Sequence, residues 1–179
     1  MRLYLIILFF LGLVCQSCET SSTDFASEWT KDIKQKIIED ASQPSTRTVF
    51  DSARGEITIF RGEQKQQYFY FKPTIDSFGK AVFIDTAVSI FFSSDQDFEF
   101  VRELCPASNR SFEGVKYKGE HFGLAEFKYC DGKVKETGFR FNGDIGTWKL
   151  YDTTGKIINE IDKGNLDRLK NLLRIKYYR

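Results

Sequence analysis

Few residues of this chain are able to do chemistry: it has four cysteines and one histidine among 179 residues. Cys15 and Cys18 come directly after an apolar run, whereas Cys105 and Cys130 lie far along the chain. A cysteine behind such a run is placed to carry a lipid, and two cysteines within one exported domain are placed to form a disulfide. His121 is the one imidazole available for acid–base or metal chemistry.

The apolar run predicts an export signal over residues 1–17. Arg2 supplies a positive start, and Leu3 to Val14 is unbroken and apolar but shorter than the ~20 residues that span a bilayer. Cys18 follows the small Ser17, as lipoprotein signal peptidase prefers, and the segment behind it is polar. This stretch resembles a relaxed bacterial lipobox, which implies lipidation of Cys18 and a mature protein on a bacterial membrane, either periplasm-facing or at the outer membrane. Cleavage by ordinary signal peptidase and a short uncleaved anchor are the alternatives.

Cys105 and Cys130 are then the thiols left in the mature chain. In an oxidising compartment we expect them to pair, closing a loop of 24 residues, although two buried and inert thiols would fit the sequence as well. With one histidine and no CxxC in the mature chain, we predict no metal site.

The charge balance excludes some classes of partner. The 26 Lys and Arg stand against 25 Asp and Glu, and the signal removes only Arg2, so 25 of each sign remain. We therefore predict no nucleic-acid binding, which normally needs a basic patch.

The rest of the chain predicts a mainly β fold of the α+β class, in one domain over residues 24–179 behind a tether at 18–23. Asp24 would cap a helix over 24–41, in which Phe25, Trp29, Ile33 and Ile37 form one apolar stripe. A second helix is predicted over 164–178, with Asn165 as its cap. Between them, antiparallel strands are predicted over 46–103, at Thr48–Asp51, Glu56–Arg61, Gln67–Lys72, Ala81–Ser93 and Phe98–Arg102.

Residues 112–161 contain two similar hairpin units. The matching pairs are Tyr117 with Phe141, Gly119 with Gly143, Gly123 with Gly146, Tyr129 with Tyr151 and Gly132 with Gly155. Asp131-Gly132 and Asp152 to Gly155 predict turns, in which glycine supplies positive φ. Trp148, Tyr151 and Tyr117 are expected to be core or stacking residues.

The two units resemble the MORN (membrane occupation and recognition nexus) repeat in its bacterial variant. The resemblance rests on aromatic-x-Gly, a second Gly, Gly-Thr-Trp-Lys-Leu-Tyr, a turn and Gly-Lys. It implies a sheet of stacked hairpins, flanked here by the N-terminal and C-terminal helices. It also implies a protein-binding role, since members of the family bind proteins and some bacterial members resemble antitoxins.

No motif of known catalysis occurs in the sequence. The patterns GxSxG, HExxH, GxGxxG and the P-loop are absent. The carboxylate pairs Asp95/Asp97 and Glu113/Glu120 need geometry before they can be judged. We therefore predict no catalytic residue, no enzyme activity and no cofactor.

The leading hypothesis is a membrane-anchored, non-enzymatic protein-binding module of the cell envelope. Its unknown partner would be a toxin, making this an immunity protein, or a subunit of an envelope complex. A structural or accessory lipoprotein of a transport or motility complex is the alternative, and an envelope hydrolase is the third.

Overall fold

The computed structural model describes residues 21–75, 77–105 and 111–164. They form one helix and ten strands. The helix α1 spans Ser21–Ala41, and the strands are β1 (Arg47–Asp51), β2 (Glu56–Arg61), β3 (Gln64–Ile75), β4 (Ala81–Phe92), β5 (Phe98–Glu103), β6 (Ser111–Tyr117), β7 (Glu120–Lys128), β8 (Val134–Phe141), β9 (Asp144–Tyr151) and β10 (Ile157–Asp162).

The ten strands make one open antiparallel sheet whose spatial order follows the chain order from β1 to β10. Every strand pairs with its sequence neighbours. Short connections, such as the two residues between β6 and β7, return the chain beside the strand it has just left.

The predicted arrangement of stacked hairpins flanked by two helices is wrong, although the mainly β class is right. The second strand of each hairpin also pairs with the first strand of the next hairpin, so successive hairpins extend one sheet sideways instead of stacking. The described residues contain the single helix α1. The C-terminal helix predicted over 164–178 falls, from Asn165 onward, outside the described residues.

Helix α1 ends at Ala41, where the sequence predicts its end, and begins three residues before the predicted cap. The amide of Ser42 donates to the carbonyl of Ile38, and its hydroxyl bonds to the same oxygen, which closes the last turn. Asp24 therefore lies within the helix, and Ser21 to Thr23 belong to the helix rather than to a tether.

The core lies between α1 and one face of the sheet. Ile33 and Ile37 are fully buried against an apolar patch from the central and later strands, made up of Phe98, Phe100, Val115, Phe122, Phe139 and Ile145. Ile33 and Ile37 belong to the predicted helical stripe. They face the sheet together because residues four positions apart lie on the same face of a helix. The helix packs on β3, β4, β5 and β7.

A second apolar cluster lies on the other face of the sheet. It consists of Val101, Phe112, Ala125, Phe127 and Trp148, all nearly buried. Alternation along β5 explains the two faces, because Phe100 and Val101 are neighbours in sequence and point to opposite sides.

Candidate functional site

The two similar units predicted over 112–161 are hairpins whose turns both contain a pair of residues with positive φ. Lys118 and Gly119 join β6 to β7 with φ of 50° and 83°, and Asn142 and Gly143 join β8 to β9 with φ of 51° and 119°. In the β6–β7 turn, Lys118 and Gly119 are the two residues between the register pair Tyr117 and Glu120, as in a type I′ turn. The β8–β9 turn has three residues between its last register pair, Arg140 and Asp144. Gly119 and Gly143 therefore take the conformation that glycine adopts without strain.

Each unit also has a bulge at its second glycine. Gly123 and Gly146 have φ of 75° and 63°, and the strand register shifts beside each of them. The bulges turn the strands so that Phe122 and Ile145 reach the core under α1.

The second turn of each unit is closed by equivalent hydrogen bonds. The amide of Tyr129 donates to the carbonyl of Lys133 at 2.8 Å, and that of Asp152 donates to Lys156 at 2.9 Å. Gly132 and Gly155 correspond, as predicted from the sequence, but Tyr129 corresponds to Asp152. The match of Tyr129 with Tyr151 is thus one residue out of register in the structure.

The aromatic residues of the units lie in different environments. Trp148 is 3% exposed, on the face away from α1. Tyr117 packs on Phe98 and Phe122 on the helix side, with ring centroids 4.8 and 5.8 Å apart. Tyr151 is half-buried, and its carbonyl accepts a hydrogen bond from the hydroxyl of Tyr129 at 2.9 Å.

A groove of about 440 Å³ opens on the helix side of the sheet, beside the N-terminal half of α1. Its lining, which we call the β8–β10 groove, consists of Ser27, Leu124, Thr137, Gly138, Phe139, Thr147, Lys149, Tyr151 and Glu160. Thr137, Lys149 and Glu160 form a row across three strands, because Lys149 is the register partner of both others. The groove therefore combines aromatic and aliphatic side chains with hydroxyl groups, one positive charge on Lys149 and one negative charge on Glu160.

The chain matches no known family model, no curated protein and no solved structure.

A charged cluster ties α1 to the sheet at β5, β6 and β7. Glu113 on β6 is paired with Lys34 of the helix, with Lys128 at 3.0 Å and with Arg102 at 3.6 Å. Burial raises the pKa of the Glu113 carboxyl, but hydrogen bonds from Lys34 and Lys128 outweigh it and hold this pKa below the usual value. The sequence singled out Glu113 only as a possible partner of Glu120, and the structure places these two at opposite ends of the β6–β7 hairpin.

The two distant cysteines come together. Cys105 follows β5 and Cys130 follows β7, and they form a disulfide pair with Cα atoms 5.5 Å apart. The pair lies at the rim of a second depression, which also contains Glu113 and Lys128.

The structure separates His121 from these cysteines. The imidazole lies near the start of β7, in edge contact with Phe112 at 4.8 Å, whereas Cys130 follows the far end of that strand. Burial, with help from Arg140 and Lys116, lowers the pKa of His121. The Nδ1 atom of His121 is buried without a hydrogen-bond partner among the described residues.

The other predicted carboxylate pair, Asp95 and Asp97, lies in the turn between β4 and β5, which Asp95 stabilises. The Oδ1 atom of Asp95 accepts hydrogen bonds from the hydroxyl of Ser93 at 2.6 Å and from the amide of Asp97 at 3.0 Å. Within the described ranges, no three His, Cys, Asp or Glu side chains gather as metal ligands would.

The predicted lipidation site, Cys18, lies outside the described residues. Within 21–75, 77–105 and 111–164, no helix combines the length and the apolar character that a membrane span requires.

Sequence reasoning missed the groove and the Glu113 cluster. One signal was present: Thr147, Lys149 and Tyr151 alternate along β9 and so share a face. Their partners on β8 and β10 depend on bulges that shift the register, between Thr137 and Phe139 and between Ile157 and Asn159.

Proposed function

We propose that this chain is a membrane-anchored, non-enzymatic module of the cell envelope, which binds a protein partner through the β8–β10 groove. The observation that carries the proposal is that α1 covers the central strands, with Phe139 and Ile145, and leaves the groove on the same face of β8–β10 open beyond them. Thr147 and Glu160 are exposed there, and Tyr151 and Lys149 are half-buried.

The composition of the groove favours a protein ligand over a small molecule. Tyrosine offers a large contact area at little cost in conformational entropy, and small polar side chains such as threonine offer adaptable hydrogen bonds. Thr147 and Glu160 of its lining are exposed, whereas small-molecule sites enclose most of their ligand. The resemblance to MORN repeats points the same way, and it makes an immunity role against an envelope toxin the sharpest form of the proposal.

The test is site-specific crosslinking in intact cells. A photoreactive residue replaces Thr147 in the groove, and in a matched control it replaces the exposed Glu63 in the β2–β3 turn. We expect one defined protein to be crosslinked from position 147 and not from position 63, and to be lost when Lys149→Glu is added. Identical products from the two positions, or no product from position 147, would refute the proposal.

The same experiment separates the two kinds of partner. A partner toxin predicts that deleting this chain harms cells only when the toxin is present. A stoichiometric envelope subunit predicts an assembly defect under all conditions.

The anchor is tested separately. Cells fed a clickable fatty acid should label the natural chain and should not label the Cys18→Ser variant. Equal labelling of the two would place the lipid elsewhere, and an unlabelled chain confined to the cytosol would refute the anchor.

A further inference from the structure

The strand β1 is a free edge of the sheet. It pairs with β2 on one side, and among the described strands none lies on its other side. Four of its five residues are exposed, including Val49 at 44% and Phe50 at 60%. An exposed and regular edge carrying apolar side chains is a template for another strand.

The opposite edge of the sheet, β10, is built differently. Its register with β9 shifts between Ile157 and Asn159, and it carries the acids Glu160 and Asp162. Bulges and charges of one sign are the usual means of blocking an edge. The β1 edge has no bulge, since its five register pairs with β2 run without interruption from Arg47 to Asp51. Its two charged residues, Arg47 and Asp51, are of opposite sign.

We propose that β1 binds β1 of a second copy of this chain, antiparallel and centred on Val49. In this register Arg47 of each copy lies opposite Asp51 of the other, and Phe50 lies opposite Thr48. The strand Arg-Thr-Val-Phe-Asp is therefore complementary to itself in charge at both ends. Opposite residues of antiparallel strands point to the same face and are close enough to pair.

The two charged residues are free to turn toward a second copy. The guanidinium of Arg47 lies over the Phe60 ring, 4.3 Å from its centroid, on an exposed side chain. The Oδ1 atom of Asp51 accepts the amides of Ala53 and Arg54, and its Oδ2 atom lies 3.8 Å from the Arg54 guanidinium. Among the described residues, Oδ2 therefore has only a long, solvent-exposed ion pair within its own copy.

The resulting dimer is closed and has a twofold axis perpendicular to the sheet. Both α1 helices then lie on the same side of a continuous sheet, so two chains attached to one membrane are able to pair. A five-residue strand buries less area than a standard interface, so we expect a weak dimer that depends on concentration. The inference goes beyond the proposed function and uses a different surface from the β8–β10 groove.

Crosslinking between cysteines tests the register. The full chain is extracted in mild detergent and treated with a short bifunctional thiol reagent. Because the axis passes beside Val49, we expect Val49→Cys to give a crosslinked dimer. The controls are the unsubstituted chain and Ile158→Cys, which lies on the other edge and is more exposed, at 62%; both should give none.

Charge reversal tests the pairing. Arg47→Glu and Asp51→Arg should each weaken self-association about tenfold in sedimentation over a range of concentrations, because each variant places like charges opposite one another. When the two variants are mixed, the glutamate introduced in one copy lies opposite the arginine introduced in the other. The unchanged Asp51 and Arg47 lie opposite each other at the second pair, so the mixture should recover the dimer.

Each outcome decides the proposal. Selective crosslinking at position 49 together with recovery in the mixture supports it. A monomer at every concentration, equal crosslinking at positions 49 and 158, or a mixture that stays monomeric overturns it. Crosslinking of Val49→Cys to a different protein also overturns it and assigns this edge to that partner. None of these results bears on crosslinking from Thr147, so the two proposals fail separately.

Discussion

The indole of Trp148 on β9 lies directly against Gly138 on the neighbouring strand β8. A Cβ atom at Gly138 would lie 2.4 Å from both Cδ2 and Cε2 of that ring. The glycine has no side chain of its own to pack, and the indole covers its backbone instead.

Gly138→Ala should destabilise the fold by about 2–3 kcal/mol, because a buried indole has no room to move away from the new methyl group. Chemical denaturation measures the loss. Trp148→Leu removes the ring, so in a double-mutant cycle the cost of Gly138→Ala should fall when both changes are combined. Equal costs in the two backgrounds would show that the contact is unimportant.

Gly123→Ala should cost about 1–2 kcal/mol more than Gly146→Ala. Both glycines have positive φ, so the backbone strain is shared. At Gly123 a Cβ atom would also lie 2.7 Å from the Oγ1 atom of Thr30 on α1, whereas at Gly146 nothing lies within 4 Å. Urea denaturation of the two variants gives the difference directly, and equal stabilities would contradict close packing of α1 on this bulge.

Glu113→Gln should destabilise the protein by about 1–3 kcal/mol at neutral pH, because the change leaves Lys34, Lys128 and Arg102 without their shared carboxylate. The pKa of Glu113 is lower in the folded than in the unfolded state. Its stabilising effect is therefore complete above the ordinary pKa of 4.5 and is lost as the pH falls through the folded-state pKa.

The measurement for this prediction is the free energy of unfolding between about pH 3 and pH 7, in steps of roughly half a unit. The natural chain and Glu113→Gln should converge at the acid end. The control is Glu126→Gln, at the register partner of Glu113 on β7. A gap between the natural chain and Glu113→Gln that stays constant with pH would exclude the ionised carboxylate as its cause.

Replacing both Cys105 and Cys130 by serine should lower the free energy of unfolding by about 3 kcal/mol, since the disulfide closes a loop over a sequence separation of 25. Thermal unfolding with and without a reductant is the measurement. The natural chain should become less stable in the reductant, and the double variant should not respond to it. A response of the double variant would point to a different effect of the reductant.

The local elements could be predicted from the sequence because their signals are local. The β2 strand at Glu56–Arg61 has the predicted bounds, and the end of α1 at Ala41 follows from the break before Pro44. The predicted turns at Asp131-Gly132 and Asp152 to Gly155 are present, because Gly132 and Gly155 adopt the positive φ that these turns require.

The arrangement of the hairpins could not be predicted in this way. Stacked hairpins and one extended sheet use the same alternation and the same turns, and they differ only in whether strands such as β7 and β8 share a ladder. The β8–β10 groove and the Lys34–Glu113 pair depend on that choice, because they join residues far apart in sequence.

The strand order of the sheet also bears on how such a molecule changes in length. Since every strand pairs only with its neighbours in the chain, a sheet with an added hairpin is able to keep the same pairing rule along its whole length. The two hairpins with Lys118-Gly119 and Asn142-Gly143 turns lie side by side in this order. A sheet of this kind becomes wider when a further hairpin is added next to an existing one.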